Sequence, residues 1–329
     1  MKKNVLITGG FGLLGQSLVR KLDKKKYKIF LLDKIKYKSR NRFLYNSHKD
    51  INIVHGNFNN IQFISKLIKV KNIKIIFHTG AVTQVLESLK DPLKTYETNI
   101  AGTINILESV RKLDKKIIIL YSSSDKAYGE LRAKSYSENH RLDSVYPYDL
   151  SKSCSDLICQ SYSKVYGLKI GILRCGNLYG PGDLNIKRII PETIIQTLNS
   201  EKLIIRSSGK LTRDYLYIDD AASAYLLVLK KLSQTKNRLL IYNVGSKYNF
   251  NVLQIVKKIL KIMKKEKLKP IIQNFSKLEI KTQKLNYKRI IKDLKWSQKT
   301  DMDNRIKKTV KWYTENLVNL NLSSRKSIK

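Results

Sequence analysis

The chain has 329 residues, 42% of them hydrophobic, which is enough for a substantial core and too many for a disordered chain. It contains no run of about 18 apolar residues that could cross a membrane, and Val5 to Ile7 is too short for a secretory core before Gly9-Gly10 intervenes. The net charge is +39, but 51 of the 65 basic residues are Lys and lie scattered along the whole length. That pattern describes a lysine-coated surface that attracts anionic substrates. A specific nucleic-acid interface would gather Arg and aromatic residues on one face.

Taken in chain order, short apolar runs alternate with helical patterns, the signature of βαβ units. Strands are expected at residues 4–8, 28–33, 51–54, 74–78, 116–122 and 169–174. Between them apolar residues recur at spacings of three and four, as in Leu14, Leu18, Val19 and Leu22, or Ile100, Ile104, Leu107 and Val110. Beyond Arg174 the order loosens, with a turn at Gly180-Pro181-Gly182. Residues 215–218 and 240–244 return to the strand pattern, each followed by a helix, so the C-terminal half passes between the sheet and a smaller lobe. The expected fold is therefore α/β, a doubly wound parallel sheet with a smaller C-terminal α/β substrate lobe. The first domain covers residues 1–175 with returning segments at about 214–245. The lobe covers 176–213 and 246–315, and residues 316–329 form a polar tail.

Two local patterns carry chemistry. Gly9, Gly12 and Gly15, with Phe11, Leu13 and Leu14 between them, link the first strand to the first helix. Gly9 allows the tight turn, Gly12 lets a pyrophosphate approach the helix N-terminus, and Gly15 allows close helix–strand packing. Asp33 follows at the end of the second strand, where a carboxylate accepts from a ribose diol and repels a 2′-phosphate, so a Rossmann domain binding NAD is expected. Tyr148 and Lys152 lie four apart on one helix and share a face. A phenol of ordinary pKa about 10 is a poor base, and a cation one turn away favours its phenolate. An exposed helical pair is the common alternative, but here the pair follows a strand ending in Ser122-Ser123-Ser124.

These residues resemble the extended short-chain dehydrogenases/reductases, the NAD-dependent epimerase/dehydratase family of nucleotide-sugar enzymes. Further matches are Asp91-Pro92, Asn99, Gly102-Thr103, Leu173-Arg174, Asn177, Tyr179-Gly180-Pro181 and Arg213-Asp214-Tyr215. The resemblance implies Ser124, Tyr148 and Lys152 as catalytic residues. It places Asn57, Phe58, Gly80 and Asn99 at the cofactor, and Thr83, Asn177, Arg188 and Arg213 at a nucleotide-activated hexose. It also implies a homodimer, or a dimer of dimers, through the helices at 92–113 and 148–166. Within the family, Asp125-Lys126 is similar to the CDP-glucose 4,6-dehydratases; simple 4-epimerases carry uncharged residues there. The implied roles are Asp125 as acid and Lys126 as base.

Three readings stand beside one another: a 4,6-dehydratase acting on a nucleotide hexose such as CDP-glucose, an epimerase or reductase in which Asp125 and Lys126 only shape the pocket or form an ion pair, and a non-catalytic nucleic-acid binder. The chain departs from the family at Asn57, where Asp is usual, and at Gly80 in His78-Thr79-Gly80-Ala81. No metal site is expected, because His55, His78 and His140 have no acidic or Cys cluster around them. Cys154, Cys159 and Cys175 fit no disulfide or zinc spacing and read as reduced thiols of a cytoplasmic protein.

Overall fold

The computed structural model describes residues 2–34, 51–130, 133–275, 280–299, 301–318 and 320. Seven apolar runs form one parallel sheet: β1 (Lys3–Thr8), β2 (Tyr27–Asp33), β3 (Ile51–His55), β4 (Ile73–His78), β5 (Ile118–Ser124), β6 (Lys169–Cys175) and β10 (Leu239–Val244). Their order is β10-β6-β5-β4-β1-β2-β3, so it reverses between β1 and β4. The crevice beyond the carboxyl ends of those two strands is where such a sheet takes a ligand.

Side chains alternate across each strand. Val5, Ile7, Ile29, Leu31, Ile75 and Phe77 enter the core on one face; Leu6, Phe30, Leu32 and Ile76 enter the core on the other. Helices Leu13–Lys21 and Ile218–Gln234 cover the first face. Helices Ile61–Val70, Gly102–Leu113 and Pro147–Tyr166 cover the second. Burial on both sides is why these strands read in sequence as nearly unbroken apolar runs.

The helix expected across 92–113 is divided. Helices Pro92–Tyr96 and Gly102–Leu113 are joined by a π turn at Glu97–Ala101. That wider turn carries Asn99, whose amide grips both backbone groups of Val82, accepting from its N–H at 2.8 Å and donating to its carbonyl at 3.0 Å. The π turn therefore fixes the loop after β4 that walls the crevice.

The strand expected at 215–218 pairs elsewhere than in the main sheet. It is β9 (Thr212–Tyr217), the centre of a second sheet between β7 (Asn177–Tyr179) and β11 (Asn249–Asn251). A third sheet pairs β8 (Ile204–Ile205) with β12 (Ile271–Ile272). Four of these strands have only two or three residues, too few to show a period of two in sequence. Helices Ile189–Leu198, Val252–Ile262 and Met302–Asn316 enclose this lobe around Tyr179, Ile194, Tyr217, Ile259, Ile306 and Tyr313. Leu317 and Leu320 also pack there, inside the segment expected as a polar tail; residues 321–329 lie outside the described residues. The buried pair of Arg305 and Asp220, 2.5 Å apart, ties the lobe to helix Ile218–Gln234.

Two buried charges organise the sheet end facing the lobe. Arg174, on β6, donates to both carboxylate oxygens of Asp156 at 2.9 Å from helix Pro147–Tyr166. Ser123, on β5, donates to the same carboxylate at 2.7 Å. Both ions are within 2% of full burial, and losing one partner of such a pair costs about 3–5 kcal/mol because the other stays buried and uncompensated. Among the described residues no helix is long and apolar enough to cross a membrane, and the three cysteines are free thiols.

Candidate active site

The crevice is a cleft of about 940 Å³ between the sheet's carboxyl edge and the second lobe. At its floor β1 turns into helix Leu13–Lys21. Gly9 adopts φ of +62° and lies so close to Gly80 that a Cβ would meet Gly80 Cα at 2.6 Å. A Cβ on Gly15 would meet the carbonyls of Gly9 and Gly10 at 2.8 Å. Gly12 differs: a Cβ there would meet only the Gly9 carbonyl at 3.1 Å, and the residue lines the cleft, so any side chain would enter the open space. Gly12 is also the N-cap, without a side-chain cap, so the N–H groups of the first turn face that space. Asp33 accepts from the Phe11 N–H at 3.3 Å and lines the same region. Phe58 presses on Gly80 and Gly102, where a Cβ would stand 2.6 and 2.4 Å from its ring. The cradle left by Gly12, with a carboxylate at its far end, fits a dinucleotide.

Gly9, Phe11, Gly12, Leu13, Leu14, Gly15, Asp33, Asn57, Phe58 and Gly80 all line the cleft. Asn99 does not; its amide is engaged with Val82 and with Ser151 Oγ at 2.8 Å, and Thr98 takes the place on the wall. Asn99 therefore shapes the cofactor end from behind.

Pro147 starts the helix that carries Tyr148 and Lys152 into the cleft. Lys152 Nζ donates to the Ser122 carbonyl at 2.8 Å and lies 5.3 Å from the centre of the Tyr121 ring. Burial lowers its pKa from 10.5 to about 8. Burial pushes the Tyr148 phenol well up; the Arg188 charge and a hydrogen bond with Ser124 oppose it. The two effects are the same physics with opposite sign, since each group resists charge in an apolar wall. His78, held between Thr8 at 2.8 Å and Thr103 at 3.0 Å, falls to about 3 by burial and is neutral. Among the described residues no cluster of His, Cys, Asp and Glu could hold a metal.

Ser124 is the last residue of β5, at the end of the Ser122-Ser123-Ser124 run. Its Oγ caps the 3₁₀ turn Asp125–Tyr128, accepting from the Lys126 N–H at 3.2 Å and donating to Asp125 Oδ1 at 3.1 Å. Ser124 and Lys126 line the cleft. Asp125 does not; it lies behind them, 1% exposed, with Oδ2 unpartnered. Burial raises its carboxyl pKa against the opposing charges of Lys126 and Arg213. The turn is braced from below: Tyr128 donates to Asn243 Oδ1 at 2.6 Å and accepts from Arg174 at 2.9 Å, and Ser153 donates to the Ala127 carbonyl at 2.6 Å.

The expected Asn177, Arg188 and Arg213 line the cleft on the lobe side, and Thr83 lines it from the loop after β4. Arg188 leans on Asp183 at 3.3 Å, and Arg213, only 4% exposed, donates to the Thr212 carbonyl at 2.8 Å. The sequence reading missed Arg206, which also lines the cleft, held by Glu192 at 2.6 and 2.7 Å. It also missed Gln283, whose Oε1 accepts from Lys126 Nζ at 3.0 Å. Neither belongs to a local motif: Arg206 follows a two-residue strand, and Gln283 lies 157 positions from its partner.

Lys152 provides a test of the site's electrostatics. With 10.5 unfolded and about 8 folded, the unfolded chain binds more protons between those values, so this group makes stability rise with pH across that window. Below pH 8 its buried charge costs roughly 3 kcal/mol. Lys152→Met should therefore stabilise the protein near neutrality by up to that order, with the advantage shrinking as pH rises towards 10.5. Denaturant unfolding at several pH values checks this; a pH-independent difference would contradict it.

Comparison with known proteins agrees with this geometry. The family model described as the NAD dependent epimerase/dehydratase family matches residues 5–245. A dTDP-D-glucose 4,6-dehydratase of Dictyostelium discoideum is 34% identical over 275 residues, 79% of this chain and 62% of that protein, so the match spans less than two thirds of the relative's length. A Bacillus anthracis dTDP-glucose 4,6-dehydratase solved with NAD superposes with TM-score 0.84 at 26% identity, covering 96% of this chain and 98% of that one. A Thermotoga maritima UDP-glucose 4-epimerase solved with UDP-glucose shares the fold at TM-score 0.86 and 24% identity, covering 95% and 99%. The chain belongs to the NAD-dependent epimerase/dehydratase family of enzymes.

Proposed function

We propose that the protein is a nucleotide-sugar 4,6-dehydratase, which removes water from an NDP-hexose to give the 4-keto-6-deoxy sugar. The observation that carries this reading is the Asp125–Lys126 turn, braced beside Ser124, Tyr148 and Lys152. NAD, when bound, supplies reversible hydride transfer, accepted from carbon 4 and returned to carbon 6. Gly9, Gly12, Gly15, Asp33, Asn57 and Phe58 would hold it. Tyr148 Oη takes the proton of the 4-hydroxyl, with Ser124 sharing its hydrogen bond and the Lys152 charge favouring phenolate. The resulting ketone acidifies the carbon 5 hydrogen. Lys126 Nζ takes that proton as the carbon 6–oxygen bond breaks, Asp125 supplies the proton with which the hydroxyl leaves as water, and the Lys126 ammonium returns a proton to carbon 5 as carbon 6 regains the hydride. Burial suits Asp125 to this task, because it favours the protonated acid.

Arg188, Arg206 and Arg213 bring three guanidinium groups to the lobe side, a donor set suited to a diphosphate, and Asn177 and Thr83 line the same cleft. The Asp125–Lys126 pair makes CDP-glucose the first substrate to try, and the Dictyostelium relative's name sets dTDP-glucose beside it. A 4-epimerase reading is favoured by one observation, that Asp125 stands behind the cleft wall.

We also place a homodimer contact on the outer faces of helices Gly102–Leu113 and Pro147–Tyr166 and the segment before them. Leu93 and Leu157 are 67% and 51% exposed there, alongside half-buried Ile100, Ile104 and Leu150. Light scattering at micromolar concentration should give a dimer that Leu157→Glu weakens; a monomeric wild type would contradict this.

The dehydratase reading is tested on Lys126. In Lys126→Met, oxidation at carbon 4 should proceed, reduced cofactor should accumulate, and elimination should slow by roughly 100- to 10,000-fold. Tyr148→Phe should instead block the first step, with no reduced cofactor. Single-turnover absorbance and exchange of the carbon 5 proton with deuterated solvent separate these. Undiminished exchange in Lys126→Met would exclude Lys126 as the base.

A further inference from the structure

Lys126 carries an amine on a flexible stem, and a base must be held at one point. The side chain that holds it comes from the far end of the chain. Gln283 is fully buried, and its Oε1 accepts from Lys126 Nζ at 3.0 Å. Its backbone is fixed on both sides. The Gln283 N–H donates to the Thr212 carbonyl at 3.1 Å, and its carbonyl accepts from Asn249 Nδ2 at 2.7 Å. On one side Thr282 bridges to Thr212, and on the other Leu285 bridges to Tyr136 and donates from its N–H to Asp214 at 2.8 Å. The amide is thus pinned along the edge of β9 and aimed at the 3₁₀ turn. Its other end, Nε2, is buried with no hydrogen-bond partner. A buried amide left half-satisfied is costly to a fold, so the contact to Lys126 is the one the side chain makes.

We propose that Gln283 is a positioning residue for Lys126: its amide oxygen fixes the amine at the site while adding no negative charge that would hold it as an ammonium. This rests on the reading of Lys126 as the base at carbon 5. The charged and titratable groups around the turn include Asp125 and Tyr128 on the turn itself, Arg213 and Asp214 on β9, Arg174 and Cys175 on β6, and Tyr148 on its helix; Asp125 interacts with Lys126, Arg213, Asp214, Cys175 and Tyr148. Burial holds Asp214 up at about 7 and favours the protonated form of Asp125. Asp125 and Asp214 are therefore biased towards neutrality, and the Gln283 amide oxygen accepts directly from the amine. A carboxylate in its place would stand at hydrogen-bond distance from the amine and keep it protonated.

The test compares Gln283→Glu and Gln283→Leu in the NAD-loaded enzyme, with the nucleotide hexose that the wild type turns over best. In Gln283→Glu, the limb of the pH–rate profile set by loss of a proton should move up by about one pH unit or more. Turnover near neutrality should fall on the order of tenfold and recover as pH rises, with KM and the appearance of reduced cofactor in a single turnover unchanged. Gln283→Leu, similar in size and uncharged, should lose turnover without moving that limb upward. If the glutamate variant does not fold, the leucine variant still decides: a full-speed elimination step there overturns the proposal. A limb in Gln283→Glu that coincides with the wild type, or a loss equal at every pH, also overturns it. The reading beneath it fails separately, by absence of any 4-keto-6-deoxy product from the wild type or by undiminished carbon 5 exchange in Lys126→Met. Either of those results removes both, whereas normal wild-type turnover through Lys126 with an unmoved limb removes only the role of Gln283.

Discussion

Asp156 and Arg174 meet in a two-point ion pair where three elements converge, and the geometry of the site follows from that contact. Asp156 belongs to the helix that carries Tyr148 and Lys152, and Arg174 lies near the end of β6. Ser123 brings in β5, and Tyr128, bonded to Arg174 and Asn243, brings in the turn that carries Asp125 and Lys126. A rotation of the helix against the sheet would break the Asp156 bonds to Arg174 and Ser123 together and leave two buried charges uncompensated. Such a network defines one arrangement, since partial satisfaction in a low dielectric is worse than an apolar core. The helix and the turn are thus locked to each other through this buried network.

Burial then sets the chemistry. The wall lowers the pKa of Lys152 and raises those of Tyr148, Asp125 and Asp214, in each case with desolvation as the largest cause and neighbouring charges or hydrogen bonds secondary. A site biased towards neutral groups suits a reaction that passes protons in both directions, from a hydroxyl, from carbon, and onto a leaving oxygen. The cations concentrate on the lobe side, where Arg188, Arg206 and Arg213 are steadied by Asp183, by Glu192 and by a backbone carbonyl. On the proposed reading, the overall charge of +39 would assist approach of an anionic sugar nucleotide, and those three guanidinium groups, which line the cleft, would bind it.

Much of this was legible in the sequence because it is local. Gly9, Gly12 and Gly15 announce a loop whose spacing has one use, and Asp33 follows at the strand end. Tyr148 and Lys152 announce themselves by a four-residue interval on a helix. Features made by long-range packing left no such trace. The π turn at Glu97–Ala101 removes Asn99 from the cleft, although helical periodicity runs through it undisturbed. Ser124 was visible as part of a serine run, but its extension of β5, which hides Asp125 behind it, depends on pairing with Cys175. The short strands of the lobe bring Arg206 and Gln283 to the site across large sequence separations, and no periodicity within two or three residues could foretell them.

The central claim is that one hydride leaves carbon 4 and returns to carbon 6 of the same sugar while water is lost between the two events. The direct measurement is turnover of a nucleotide hexose carrying deuterium at carbon 4, with the product analysed by NMR and mass spectrometry. The account predicts a 4-keto-6-deoxy sugar with the label retained on the new methyl group. A product that keeps its 6-hydroxyl and carries the label back at carbon 4 would contradict it and identify an epimerase.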